Sequence, residues 1–139
     1  MSWGIGLVFK GHWAAWRLSD GWRTSEHDIS CVEMIATELV LLWVLAAGIH
    51  DVKVVIHGDN MGVLGALNKG RSRNAASNLS ICWMALAMAL ANILVDPVYV
   101  TLEMNLEDAC SRGELGSVEM HLLLLFSLPK ALTPFIHDV

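Results

Sequence analysis

A chain of 139 residues, 55% of them hydrophobic and only 17% charged, fits one domain with one substantial core and is too apolar to be disordered. Its formal net charge of −5 excludes a basic protein that coats nucleic acid over its whole surface, so any such contact must come from a local cluster. Three widely spaced cysteines, Cys31, Cys82 and Cys110, read as reduced thiols of an intracellular protein, cytoplasmic or nuclear, two of them core filler.

Trp3 to Phe9 reads as a strand. It has no basic region before it and no small-residue cleavage site after it, so it is not a signal peptide. Gly11 marks a turn and His12 to Leu18 a second strand. Ser19-Asp20-Gly21 is a further turn, and Trp22 to Thr24 begins a third strand. Strands joined by such short loops form an antiparallel meander. Ser30-Cys31-Val32-Glu33 has capping-box spacing, with Glu33 in the first turn of a helix whose apolar residues continue to Ala47, where Gly48 closes it. Val52 to His57 is a nearly continuous apolar run, expected of a central parallel strand.

Met61 to Leu67 makes a short helix and Asn68 to Arg73 a polar, basic loop. A long helix follows from about Ser77 to Leu94, ended by Asp96-Pro97. The uncharged stretch from Asn74 to Val95 contains this helix and is long enough on paper to span a bilayer. Its strongly apolar part, Ile81 to Leu90, is too short for that, and a buried amphipathic helix with inaccessible apolar positions is expected instead, with no membrane partner. Val98 to Glu103 reads as a last strand and Ser117 to Phe126 as a final helix; Pro129 and Pro134 mark a tail. The order β-β-β-α-β-α-α-β-α predicts one α/β domain over residues 1–128 and a tail over 129–139, with a mixed five-stranded sheet and helices on both faces.

Three carboxylates fall at informative places. Asp59 stands at the carboxyl end of the central strand, where open α/β sheets bind ligands. Glu33 lies near the start of the preceding helix, and Asp108 follows the last strand. A sheet of this order can bring all three to one edge. Converging carboxylates repel one another and call for a cation, and hard oxygen ligands suit Mg²⁺ or Mn²⁺. Two such ions ~4 Å apart would stabilise the attacking and leaving oxygens of phosphodiester hydrolysis. Singly, each has a plainer reading: Glu33 a helix cap, Asp59 the start of the next helix, Asp108 a turn residue.

Taken together the motifs resemble those of the ribonuclease H domains of retroelements, the fungal type of retrotransposon reverse transcriptase in particular. Val32-Glu33-Met34-Ile35-Ala36 resembles their helix motif and His57-Gly58-Asp59-Asn60-Met61-Gly62-Val63 their strand-end motif. Asn105-x-x-Asp108-Ala109-x-Ser111-Arg112-Gly113 resembles their Asn-x-x-Ala-Asp-x-x-Ser-Arg segment, without the Ala before the Asp. Asn68-Lys69-Gly70-Arg71-Ser72-Arg73-Asn74 is similar to a loop of fungal elements.

The resemblance implies an RNase H-like fold and Mg²⁺- or Mn²⁺-dependent hydrolysis of the RNA strand in RNA–DNA hybrids. Glu33, Asp59 and Asp108 would be metal ligands and catalytic residues; Asn60, Lys69, Arg71 and Arg73 would bind the hybrid or single-stranded RNA or DNA. The family's first strand also begins with an Asp, a few residues before the position of Gly4-Ile5-Gly6. That position falls ahead of Met1: either the domain boundary lies upstream or the residue is lost, and without it the resemblance implies impaired hydrolysis. The alternative is a non-catalytic domain that binds nucleic acid or another protein, or that oligomerises through apolar surface, as a mean hydropathy of +0.51 would allow.

The remaining residues offer little chemistry. The six histidines show no paired metal spacing, so zinc is not expected. His57 reads as a core histidine. Gly58, Gly62 and Gly65 do not form G-x-G-x-x-G. Most of the six tryptophans should be core, with one on the meander available to stack on a base.

Overall fold

The structure, a computed structural model, describes residues 4–9, 12–22, 29–58, 61–99, 121, 128, 132 and 136–138. Strands β1 (Gly4–Phe9) and β2 (His12–Leu18) pair antiparallel with Phe9 opposite His12. The register leaves two residues for the connection, as a tight hairpin requires. Gly4 lies against β2: a Cβ there would sit only 2.0 Å from the Trp16 carbonyl oxygen, so only glycine fits. The turn after β2 closes with Trp22 N–H donating to the Ser19 carbonyl at 3.2 Å, and Trp22 is buried. The third meander strand expected beyond it lies mostly outside the described residues.

A different segment supplies the third strand. β5 (Ile136–Asp138) pairs antiparallel with β2, Leu18 opposite Ile136, giving the order β1-β2-β5. Ile136 and Leu132, from the stretch read as a tail, are buried in the core with Ile5, Trp16 and Leu18. Burial of these apolar side chains holds the C-terminal segment on the sheet.

Helix α1 (Ile29–Ala46) follows, and Gly48 lies just past its end at φ 76. Because the helix already runs at Ile29, Ser30 is inside it and cannot be its N-cap, and Glu33 is the fifth helical residue. The capping-box reading of Ser30 and Glu33 is corrected accordingly. Strand β3 (Val52–Gly58), α2 (Met61–Lys69), α3 (Ala75–Ala91) and β4 (Ile93–Tyr99) are the remaining elements among the described residues. β3 and β4 pair in parallel from Val52–Ile93 to Gly58–Tyr99. Among the described residues, therefore, the α/β class is as expected, but the strands form a three-stranded antiparallel and a two-stranded parallel sheet instead of one five-stranded sheet.

Two large cores and a small cluster of Trp13 and Ala15 form among the described residues, and α1 is common to the two large ones. Val32, Ile35 and Leu39 pack against the antiparallel sheet. Met34, Leu41 and Val44 pack with Val63, Ile81, Met84 and Ile93 of α2, α3 and β4. A helix apolar almost all round, as this one is, is expected to be covered on two sides.

Three expectations for the second half change. The long helix stops at Ala91, not Leu94, because Asn92 adopts the left-handed conformation (φ 52, ψ 53) and its N–H returns to the Ala89 and Met88 carbonyls. Asn tolerates that conformation better than most residues, and the β-branched Ile93 and Val95 then favour a strand. β4 thus starts five residues earlier than Val98 and contains Asp96-Pro97. Among the described residues β4 has a neighbour on one side only, and an edge strand is where Pro is tolerated.

The burial of α3 is also corrected. It turns Ser77, Ile81 and Met84 inward, while Leu79, Trp83, Leu86 and Leu90 are exposed, because the only neighbours on the described chain lie along its inner face. Among the described residues the exposed tryptophan is Trp83, whereas Trp13, Trp16 and Trp22 are buried; Trp3 lies outside the described residues. Likewise Cys31 is buried and Cys82 exposed; Cys110 lies outside the described residues. No helix among the described residues is long and apolar enough to cross a membrane.

Candidate functional site

A cleft opens where α1 passes between the two sheets. Gly6 of β1 forms one wall, Ile56, His57 and Gly58 of β3 the other, Glu33, Ala36, Thr37 and Val40 of α1 the floor, and Val63 and Leu64 of α2 the end. Its volume is about 30 Å³, room for a water or two or a small ion and too little for an organic ligand.

Glu33 is half-buried in this cleft. It is held on a regular stretch of α1, where its carbonyl accepts the Thr37 hydroxyl at 3.3 Å. The neighbouring acid Glu38 lies on another face, toward α3; it is buried, and desolvation raises its pKa despite a hydrogen bond from Ser80. Two acids five residues apart on one helix therefore have different surroundings, and only Glu33 reaches the cleft.

His57 is exposed and lines the cleft beside Glu33, which corrects its reading as a core histidine. Its strand is partnered on one side only among the described residues, and alternate residues of β3 are exposed. Sequence reasoning missed His57 because an apolar run was taken as burial on both faces. Asp59 and Asn60 lie outside the described residues, but the residues on either side of them, Gly58 before and Val63 and Leu64 after, line the cleft. Asp108 also lies outside the described residues. Among the described residues no group of three or more His, Cys, Asp or Glu could hold a metal ion.

The basic loop is a second feature, at the far end of α2. Gly70, at φ 74, ends α2 in a left-handed cap, with the N–H groups of Gly70 and Arg71 both returning to the Ala66 carbonyl at 2.9 and 3.2 Å. On the other side Asn74 caps α3, its side-chain oxygen accepting from Ser77 N–H at 2.9 Å and from the Cys31 thiol at 3.3 Å. Ser72 N–H donates to Asn78 Oδ1 at 3.1 Å, and the Ser72 hydroxyl oxygen accepts from Asn74 N–H at 3.2 Å. The backbone from 70 to 74 is thus tied at both ends. Lys69, Arg71 and Arg73 project from it, exposed and without an ion pair among the described residues.

These three are the only charged residues between Met61 and Val95, a local charge of +3 in a chain of net charge −5. The rise of α2 from Leu64 to Lys69 puts the start of the loop roughly 8 Å along the helix from the cleft end.

The opposite ends of β3 and β4 are joined by polar contacts that do not reach the cleft. Asn92 Nδ2 donates to Asp51 Oδ1 at 2.7 Å and His50 Nδ1 meets Asp51 Oδ2 at 2.5 Å. The Asn92 hydrogen bond first, then His50, hold the Asp51 carboxyl below its ordinary pKa. The site sits at the carboxyl end of the parallel strands and this polar clasp at the amino end. Compared with family models, with curated proteins and with solved structures, the chain matches none.

Proposed function

We propose that this chain is a metal-dependent phosphodiester hydrolase domain of the ribonuclease H kind, acting on RNA paired with DNA and related to retroelement reverse transcriptases. The observation that carries the reading is the cleft itself. Half-buried Glu33 lines it together with Gly6 of the Gly-x-Gly strand and with His57-Gly58, the residues directly before Asp59. These are three of the segments on which the motif resemblance rests.

The donor chemistry fits a hard cation. An acidic residue lining a space of about 30 Å³ suits Mg²⁺ or Mn²⁺ better than a soft metal, and no cysteine is among the lining residues. Glu33 and Asp59, joined by Asp108, would be the ligands; bound there, the ions would stabilise charge on the attacking and leaving oxygens. The chain's own part is to hold Glu33 rigidly on α1, to keep Gly6 and Gly58 bare so that a phosphate can approach, and to seat the flanking backbone on Lys69, Arg71 and Arg73.

Metal binding and cleavage test this separately. Mn²⁺ should raise the melting temperature of the chain, and Glu33→Gln and Asp59→Asn should each reduce that rise. Cleavage of a labelled RNA–DNA hybrid should require Mg²⁺ or Mn²⁺ and end with Asp59→Asn. A cation effect that survives both substitutions, or cleavage that survives Asp59→Asn, would refute the assignment.

A second reading, a non-catalytic nucleic-acid-binding domain, is favoured by one observation: the basic loop is fixed by its caps and exposed independently of the cleft. It predicts hybrid binding that is lost with the loop charges and indifferent to Glu33→Gln and to Mg²⁺.

A further inference from the structure

The outer face of α3 has no role in either reading. Leu79, Trp83, Leu86 and Leu90 are 73%, 41%, 62% and 81% exposed, on a helix whose opposite face (Ile81, Met84, partly Met88) is packed in the second core. Their spacing of four, three and four residues is that of alternating d and a positions in a heptad, the pattern of a helix that meets another helix along a straight seam. The inward residues Ile81, Met84 and Met88 then fall at f, b and f, away from that seam, so one helix carries two separate apolar stripes.

We infer that α3 is a homodimer interface, its Leu79–Trp83–Leu86–Leu90 seam packing against the same seam of a second copy of this chain. Three observations select a second copy as the occupant. The first is charge: α3 has no charged residue, so two chains of net charge −5 can meet here without opposing like charges, and a partner chosen by charge would find nothing to pair with. The second is shape. The positions flanking the seam are Ser80, Cys82, Ala87 and Ala89, small enough for two backbones to approach closely, where heterotypic coiled coils place the long charged residues that select a partner.

The third is area. The exposed parts of the four side chains amount to roughly 500 Å² of apolar surface per copy, at the upper end for the largest patch of a typical monomer. Pairing two copies removes roughly 1,000 Å² from water, at the threshold for a specific interface. An interface at that threshold is a weak one, so the association should depend on concentration. The basic loop before α3 and the cleft are not part of the seam, so the inference stands apart from the proposed chemistry.

Sedimentation velocity of the full chain over about 1 to 200 μM tests it, together with labelling of the exposed Cys82 thiol beside the seam. The expected result is a mass rising from 15.2 kDa toward twice that value, with Cys82 labelling slowing over the same concentration range. Leu86→Lys with Leu90→Lys should weaken the association by about 30-fold or more, as placing charges in a buried seam requires. Should the double variant fail to fold, as judged by circular dichroism, the concentration dependence of Cys82 labelling in the unaltered chain decides alone. Four outcomes overturn the inference: a monomer throughout with Cys82 freely labelled; a monomer with Cys82 protected, which assigns the face to another segment of this chain such as residues 100–120; partition into neutral lipid vesicles; or a dimer indifferent to the double substitution.

Discussion

Replacing Lys69, Arg71 and Arg73 together by Gln should leave the fold intact and remove nearly all affinity for nucleic acid. The fold should survive because the loop is held by backbone groups. The Gly70 and Arg71 N–H groups return to Ala66, and Ser72 N–H goes to Asn78; none of these bonds uses a basic side chain. The magnitude follows from the count. Three exposed cations without ion pairs can each meet one phosphate, and each contact displaces about 0.9 counterion, so the log–log slope of affinity against salt should be about −2.7. Between 50 and 200 mM salt that slope corresponds to a loss of roughly 40-fold. With Arg71→Gln alone two contacts remain, the slope falls to about −1.8 and the loss to roughly 12-fold. Fluorescence anisotropy of a labelled RNA–DNA hybrid, titrated at four salt concentrations, reads both quantities. Lys53→Gln serves as the control for net charge, since Lys53 is exposed and lies 3.5 Å from Asp96 on β4, away from the loop. A salt slope unchanged in the triple variant, or an equal change from Lys53→Gln, would show that the loop is not the binding surface.

Glu38→Gln should raise the melting temperature at pH 7 and lose that advantage below about pH 4.5. The sign follows from burial, which raises the folded-state pKa above the unfolded one, so stability falls as pH rises through that interval and the charge must then be buried; equal melting temperatures at pH 7 would contradict it. Asn74→Ala removes the α3 cap and should cost about 1 kcal/mol in denaturant unfolding, with Cys31 thiol reactivity rising as its acceptor is lost; a cost below a few tenths would show that the cap carries no stability. Leu39→Ala, at a fully buried position of the first core, should cost about 2–5 kcal/mol, and a smaller loss would mean that the antiparallel sheet is loosely packed on α1.

The elements legible in the sequence are those whose signals are local. Gly48 ends α1, β1 and β2 follow as two apolar runs separated by a turn signal, and α2 starts where expected at Met61 but runs to Lys69, two residues past Leu67. What was not legible depended on partners distant in sequence. β5 joins β2 across more than a hundred residues, and nothing in Ile136-His137-Asp138 by itself outweighs the Pro residues before it. The end of α3 turned on whether Asn92 or Asp96-Pro97 acts as the stop, and both are breakers; the β-branched pair after Asn92 decided it. At the site, the sequence placed Glu33 on α1 and Gly58 at the end of β3, although Glu33 lies inside the helix and not at its cap. His57 and the outer face of α3 were not legible, because exposure of an apolar segment depends on how many neighbours it acquires, which composition does not record.

The position of α1 between two cores has a consequence for how the molecule opens. Side chains of α1 pack into both cores, so the helix should unfold and its amides exchange only when both halves come apart, whereas the β1–β2–β5 amides need only the first half to open and those of β4 only the second. Hydrogen exchange should therefore show three tiers, with the middle of α1 slowest and the two sheets opening independently at lower free energy. Because the cleft lies where those two units meet along α1, a ligand that touches both Glu33 and the end of β3 would couple their openings, and its binding would be visible as a merging of the two lower tiers into one.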